Sequence, residues 1–543
     1  MRMLWNLVWA AVLALSASAQ AGGGFRVSGT VVNSLTGQPV AQARVRLVPT
    51  QEMDKSSVVI ATDAGQFVFN NVAAGKYALV AGKPGYLIEA FNEHEQYSTA
   101  IAVGRPGLKT EDLIFRLHPE AIISGQVTDE QNEPVPEADA VLFQYFLRDG
   151  ERKITQREQT KTDDRGLYRF SGLSPGTYFV VISARPWYTQ YLQPAPAEAG
   201  DGTQPDLPEK NLQLDLTYPL TYYSGVTDPE SATPLKLAAG DRITADIRLV
   251  PTPALHIRVK APNLDPNQGF SAVITPKTFN GAILPTPLPA QTTMPQPGEL
   301  RIGGIAPGRY HLQLVFPGKQ TSSYDQDLDL ESNTEIDAAS NNAAADISGV
   351  VKFQDGSPAP PGAAVLLTSE MSSSAVAQIS QSGEFRFDQG TTLPPGKYDV
   401  HIARVPDIAF QSISARGARV SGRKVEITGS GPVRLTVTLA RGLGRITGTA
   451  VSSKDGAPVA GAMVLLVPQD PETDPALVRR DQSDSDGTFT LPSVRPGRYR
   501  LLAIQNGWDL EWMNPQVLQP YLAAGAAVEV QNNGKYDIKV VVQ

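Results

Sequence analysis

Five histidines, His94, His118, His256, His311 and His401, are the chain's whole supply of imidazole, and none opens a His-x-x-Glu or His-x-x-x-His pair. Zinc peptidases use such pairs to set two ligands on one helical face, so that chemistry has no local signature here. His256 and His311 sit in strand-like alternation and are expected on a solvent face or rim. Gly172-Leu173-Ser174-Pro175-Gly176 has the spacing of a nucleophile elbow. In that elbow the residue after the serine donates its N–H to the oxyanion, and Pro175 has none. With no cysteine in the sequence, disulfides, thiolate zinc sites and cysteine nucleophiles are excluded. Asp163-Asp164-Arg165-Gly166 and Asp484-Ser485-Asp486-Gly487 are too short, or too interrupted by arginine, for a calcium loop and read as turns. Asp325, Asp327, Asp329 and Glu331 alternate and would share one strand face. Such a row either holds a metal cation or keeps an edge strand soluble. Two suitably spaced carboxylates would suffice for a glycosidase, but no acid pair recurs along the chain.

Aromatic residues supply the binding candidates. Trp187 is followed by Tyr188 and Tyr191, with Tyr218, Tyr222 and Tyr223 later in the same stretch, and Trp508 and Trp512 lie close to the C-terminus. Rings carried on loops outside a core could stack on sugars or on a partner protein, or they could pin the loops that carry them.

These residues sit on an all-β frame. Gly and Pro are frequent, 47 and 43 in 543 residues, while Asp, Glu, Lys and Arg make up 19% and hydrophobic residues 41%. A net charge of −8 over the full length, without a run of five basic residues, argues against nucleic acid as a partner. Arg2, an apolar run from Leu4 to Leu15 and Ala17-Ser18-Ala19 match a secretory signal cleaved before Gln20, giving residues 1–19 as signal peptide. No later stretch is apolar for long enough to cross a bilayer as a helix. The mature chain is therefore expected to be exported.

A repeat dominates the remainder. Its copies read Ser28-Gly29, Gly37-Gln38-Pro39, Asp63-Ala64-Gly65 and Gly75-Lys76-Tyr77; Ser124-Gly125, Glu133-Pro134, Asp164-Arg165-Gly166 and Pro175-Gly176-Thr177-Tyr178; Ser348-Gly349, Gly356-Ser357-Pro358, Ser382-Gly383 and Pro395-Gly396-Lys397-Tyr398; Thr447-Gly448, Gly456-Ala457-Pro458, Asp486-Gly487 and Pro496-Gly497-Arg498-Tyr499. A weaker copy keeps Pro297-Gly298 and Pro307-Gly308-Arg309-Tyr310. The turn glycine precedes the tyrosine by 12 residues in four of the five copies. Ring pairs two apart, Phe67/Phe69, Tyr168/Phe170 and Phe385/Phe387, fall on one face of a strand. The turn glycines suit a hairpin, and Pro-Gly suits the centre of a type II turn that sends the tyrosine over the core, its hydroxyl on a backbone partner. Alternating segments at Leu113–Leu117, Ile243–Val250, Val433–Leu439 and Ile538–Val542 close the units.

The expected units are 25–118; 119–253, with an insertion at 186–242 whose Pro194–Pro208 stretch is a surface loop; 254–344, divergent, with a Pro-rich loop at Leu284–Pro297; 345–442; and 443–543, where helical turns after Asn514-Pro515 break at Pro520. Each holds about seven short strands in two sheets. Contacts between units are expected to be modest, with motion between them.

The Ser-Gly, Gly-x-Pro, Asp-x-Gly, Pro-Gly-x-Tyr succession resembles the carboxypeptidase regulatory-like domain and is similar to collagen-adhesin B-type repeats. The likeness covers four units well and the third weakly. It implies a tandem array of about five transthyretin-like sandwiches, no catalysis, no cofactor, and a binding or supporting role in the bacterial cell envelope. It implies a periplasmic, cell-surface or secreted location, with an envelope protein or polysaccharide as partner. The Lys–Asn crosslink of the adhesin repeats is not expected: the opening strands at Ser28, Ser124 and Thr447 lack lysine, and only Lys352 lies near such a position. Carbohydrate binding through Trp187, Tyr188, Tyr191, Tyr222, Tyr223, Trp508 and Trp512 is the alternative reading.

Overall fold

The structure is a computed structural model. It describes residues 24–148, 150–189, 214–261, 271–279, 284, 291–316, 322–338, 342–343, 345–359, 362–369, 374–387, 393, 396–403, 408–429, 431–469 and 477–543. The expected signal peptide, Tyr191 and the Pro194–Pro208 stretch lie outside these residues.

The first sandwich sets the pattern. Its strands are β1 (Phe25–Asn33), β2 (Arg44–Pro49), β3 (Ser57–Ile60), β4 (Gln66–Val72), β5 (Gly75–Gly82), β6 (Glu89–Ala90), β7 (Ile101–Val103) and β8 (Leu113–Leu117). One sheet runs β4-β1-β8 and the facing sheet β3-β2-β5, with β6 and β7 both on β5. The β1–β8 pairing is parallel and the β1–β4 pairing antiparallel. The same frame recurs in the last sandwich, where Gly444–Val451 pairs antiparallel with Thr488–Val494 and parallel with Lys535–Val541. Among the described residues, the last sandwich has a three-stranded and a four-stranded sheet, while the others add short edge strands to the frame or rearrange it. In the third sandwich, Gln291–Gln296 pairs with Glu299–Ile305 instead of with Ser271–Pro276. Part of the expected Pro-rich loop is thus an edge strand, which tolerates Pro295 at a shift in register. Five buried clusters fill the sandwiches, spanning Val27–Leu117, Ala121–Leu249, Ile257–Ala338, Ala345–Leu439 and Ile446–Val540.

The repeat residues build this frame. A Cβ on Gly29, Gly125, Gly349 or Gly448 would fall 2.0–2.2 Å from a carbonyl oxygen of the parallel closing strand. It would also fall 2.6–2.8 Å from the ring of Phe67, Phe385 or Phe489 or from the Tyr168 hydroxyl. The opening glycine therefore lets two strands and a ring share one space. Gly65, Gly166, Gly383 and Gly487 have φ between +69° and +83°. Each offers its carbonyl to the opening strand at 2.8 Å, and the Gly-x-Pro or Glu-Pro proline packs on it. These turns do not close hairpins: the strands they join lie in opposite sheets, so each is a corner between layers. Gly75, Gly308 and Gly497 have φ of +151° to +158°, each as the first residue of its strand, not at the centre of a type II turn. The tyrosines that follow donate their hydroxyls four residues back: Tyr77 to the Ala73 carbonyl at 3.0 Å, and Tyr178, Tyr310 and Tyr499 to Ser174, Ala306 and Arg495 at 2.8 Å. The paired rings sit together as expected, with centroids 5.7–6.2 Å apart.

Candidate functional site

The last sandwich carries two apolar runs without alternation, Met463-Val464-Leu465-Leu466-Val467 and Leu501-Leu502-Ala503-Ile504. Val464, Leu466, Leu501 and Ala503 face its own core. Met463, Leu465, Leu502 and Ile504 face outward into a second cluster with Trp508, Trp512 and Leu518. A sheet apolar on both faces needs a cover on both. Part of the cover is local: a 3-10 turn at Gly507–Asp509 and the helix α1 (Pro515–Leu522). Asn514 caps α1 by accepting from the Gln516 N–H, and the helix runs through Pro520 instead of breaking there.

The first sandwich supplies the rest of the cover. The His94 ring lies 4.9 Å from Trp508 at 10°, and its Nδ1 is 3.1 Å from Gln482 Oε1. Gln482 Nε2 donates to the Asn92 carbonyl at 2.7 Å and to Thr99 Oγ1 at 2.8 Å. Arg480, its side chain 4% exposed, gives two bonds to Glu95 of 2.7 and 2.5 Å. The same guanidinium lies over Tyr97, Trp512 and Trp508 at 4.9, 5.2 and 5.7 Å. Beside this aromatic patch is an ionic one. Lys76 reaches Asp484 and Thr488 Oγ1, and Arg105 pairs with Asp486 at 2.7 Å. One backbone bond and two backbone-to-side-chain bonds stitch the two sandwiches together: Ser485 N–H to the Ala100 carbonyl at 2.9 Å, Ala102 N–H to Ser485 Oγ at 2.8 Å, and Ala100 N–H to Asp484 Oδ1 at 3.0 Å.

Burial raises the carboxyls here. It outweighs the Lys76 ammonium at Asp484, and it pushes Asp481 up to about 6 against two backbone N–H bonds. Burial opposes the ionised form of Asp486 as well, but the Thr488 hydroxyl and Lys76 hold that carboxyl below its usual range. The carboxylate of Asp484 in the Asp484–Gly487 turn is thus met by the Lys76 ammonium.

The second sandwich closes over Trp512. A Cβ on Gly150 would come within 2.5 Å of the indole, and Arg152 pairs with Glu511 at 3.0 Å. Trp508 and Trp512 are each 7% exposed and pack in this cluster, which is the second of the two roles the sequence left open for these rings. Tyr222, 1% exposed, packs with Val141, Phe143 and Val181 against Phe279 and Leu284 of the third sandwich. Tyr223 is partly buried against the core of the second sandwich. Trp187 differs: it is 66% exposed on a 3-10 turn, with the Tyr188 ring edge-on at 5.8 Å. The hydroxyls of Tyr188 and Tyr218 share the Glu130 carboxylate at 3.1 and 2.7 Å.

Asp325, Asp327 and Asp329 lie on the strand Ser322–Leu330, and Glu331 falls just past its end. Asp327 is engaged by Lys277 and by His311 Nδ1, so it is not free as a ligand. His311 is 7% exposed, not on a solvent face. Asp329 and Glu331 line an open cleft of about 590 Å³ between the second and third sandwiches, with Lys277, Arg309 and Glu230. Asp325 pairs with Gln313 across the ladder. Among the described residues, no group of three or more metal-ligating side chains converges. No helix among them is long and apolar enough to cross a membrane.

The pairings of Lys76 with Asp484, His94 with Trp508 and Glu95 with Arg480 were not legible, since the two members of each lie hundreds of residues apart. The unbroken apolar runs, like Val141-Leu142-Phe143 in the second sandwich, are the signal that an outer sheet face is covered.

The carboxypeptidase regulatory-like domain matches residues 26–99, 122–208 and 445–520. No curated protein matches the chain in sequence. Among solved structures, the Bacillus anthracis TIE protein is 11% identical, with 95% of this chain and 73% of that one covered and a TM-score of 0.17. A Streptococcal ancillary pilin is 12% identical over 53% of this chain and 98% of its own, with a TM-score of 0.19. The major pilin subunit of Bacillus cereus is 10% identical over 78% and 99%, with a TM-score of 0.13. Likenesses this slight carry nothing about what the chain does. The chain is a protein of several β-sandwiches, and segments of its first, second and last sandwiches are similar to the carboxypeptidase regulatory-like domain.

Proposed function

We propose that the protein is an exported, non-catalytic scaffold or binding protein of the bacterial cell envelope. The observation that carries this reading is where its chemistry-bearing residues are engaged. Lys76, Arg105, Asp484 and Asp486 join sandwich to sandwich, as do Glu95, Arg480, Trp508 and Trp512, and Asp327 is held within the third sandwich. An enzyme of this size would aim such groups into one open pocket, and the charged cleft of the second and third sandwiches holds none of them. Here they fix the relation of the sandwiches, as a scaffold requires. The similarity to the carboxypeptidase regulatory-like domain supports the same reading.

Fractionation of cells producing the native chain tests it. A processed form beginning at Gln20 outside the cytoplasm is the expected outcome, and an unprocessed cytoplasmic form would overturn it.

Carbohydrate binding stands as a second reading because of Trp187, whose exposed ring beside Tyr188 is free to stack. Immobilised polysaccharides and peptidoglycan should retain the parent protein and release Trp187→Ala. Unretarded passage of the parent would remove this reading.

A further inference from the structure

The loop Asn92–Tyr97 of the first sandwich behaves as a ligand of the last one. It fills a site built by four side chains: Arg480, Gln482, Trp508 and Trp512. Each component of that site is specific. Arg480 presents a fork to a carboxylate and takes both Glu95 oxygens, the geometry that favours a planar anion over a point charge. Trp508 presents a flat face and takes the His94 ring in parallel stacking. The Gln482 amide takes a backbone carbonyl. The loop leaves one component unused: Trp512 Nε1 is buried without an acceptor. A buried donor left unmatched costs about 1–3 kcal/mol, so this occupant does not satisfy the whole site.

We propose that Arg480, Gln482, Trp508 and Trp512 form a peptide-binding site, covered in this state by the chain's own loop and, over Trp512, by Gly150 of the second sandwich. Its external ligand is an acidic–aromatic segment of another protein, with a carboxylate for Arg480, a flat ring for Trp508 and a further acceptor for Trp512. The inference goes beyond the scaffold reading by naming the docking face and the partner's chemistry, and it does not depend on export. The loop can leave without parting the sandwiches, since the Lys76–Asp484 pair and the Ala100–Ser485 backbone bond lie outside the site.

The test uses the full chain with the loop disarmed by Glu95→Ala, His94→Ala and Tyr97→Ala together. The probe is a fluorescent synthetic peptide spanning residues 90–99, followed by anisotropy. The disarmed protein should bind the peptide at least tenfold more tightly than the parent, and adding Arg480→Ala should erase the gain. Equal binding by parent and disarmed protein would overturn the proposal, as would a gain that survives Arg480→Ala. Retention on an acidic polysaccharide in place of the peptide would overturn it too, by assigning the site to sugar. Glu95→Gln, which keeps the loop's shape, guards against misfolding: it should show a smaller gain in the same direction, and no gain in a folded Glu95→Gln protein counts against the site.

Discussion

Asp481 shows how a single side chain reports on its surroundings. Its carboxyl stands at about 6 because burial disfavours the charge more than the Thr490 and Gln482 N–H groups favour it. A carboxyl raised above its unfolded value of about 3.9 gives stability that is fully present below pH 4 and is lost as pH rises through 6. The loss amounts to about 2–3 kcal/mol. Melting of the last sandwich, followed by Trp508 and Trp512 fluorescence, should therefore fall in midpoint between pH 4 and 6 in the parent. The fall should be smaller in Asp481→Asn, where the raised Asp484 carboxyl still contributes, and equal slopes in the two proteins would contradict the assignment. At this scale the sequence was least informative. It marks Trp508 and Trp512 as unusual, but whether an aromatic ring is a surface or a filling depends on what packs over it, here Gly150 and His94 from other sandwiches.

Strands and turns were far more legible, because each repeat residue answers a local demand. The opening glycine is the strictest of these. Gly448→Ala would place a methyl 2.0 Å from the Ile538 carbonyl and 2.6 Å from the Phe489 ring. We expect a loss of about 2–3 kcal/mol or more in urea unfolding of the last sandwich. Gly456→Ala meets open space but keeps a φ of +70°, and should lose only about 1 kcal/mol. The reverse order would show that close approach is not what the opening glycine provides. Tyr499→Phe removes the bond to the Arg495 carbonyl at 2.8 Å and should lose about 1 kcal/mol, and unchanged stability would show that the hydroxyl is idle. Turn geometry was the part that local pattern misread. A glycine with positive φ fits a hairpin and a sheet-to-sheet corner alike, and only the partners of the flanking strands separate the two.

For the whole molecule, periodic sequence suggests beads with modest contacts, and the structure folds the first bead back onto the last. The contacts that do this join residues about 380 to 410 positions apart, such as Lys76 with Asp484 and Arg480 with Glu95. No spacing rule reaches that far, and the apolar runs of the last sandwich are the trace they leave in sequence. Closure also gives the scaffold reading its physical content, since a closed array holds its sandwiches in fixed relation where an open one would let them swing. The absence of native cysteine makes the decisive measurement clean. Ala100 and Ser485 share a backbone hydrogen bond of 2.9 Å, which sets their Cα atoms about 5 Å apart, within disulfide reach. With Ala100→Cys and Ser485→Cys in one chain, mild oxidation at low protein concentration should give a monomer crosslinked within itself, migrating faster than its reduced form. A chain that stays uncrosslinked, or that links only to other copies, would contradict the closed array.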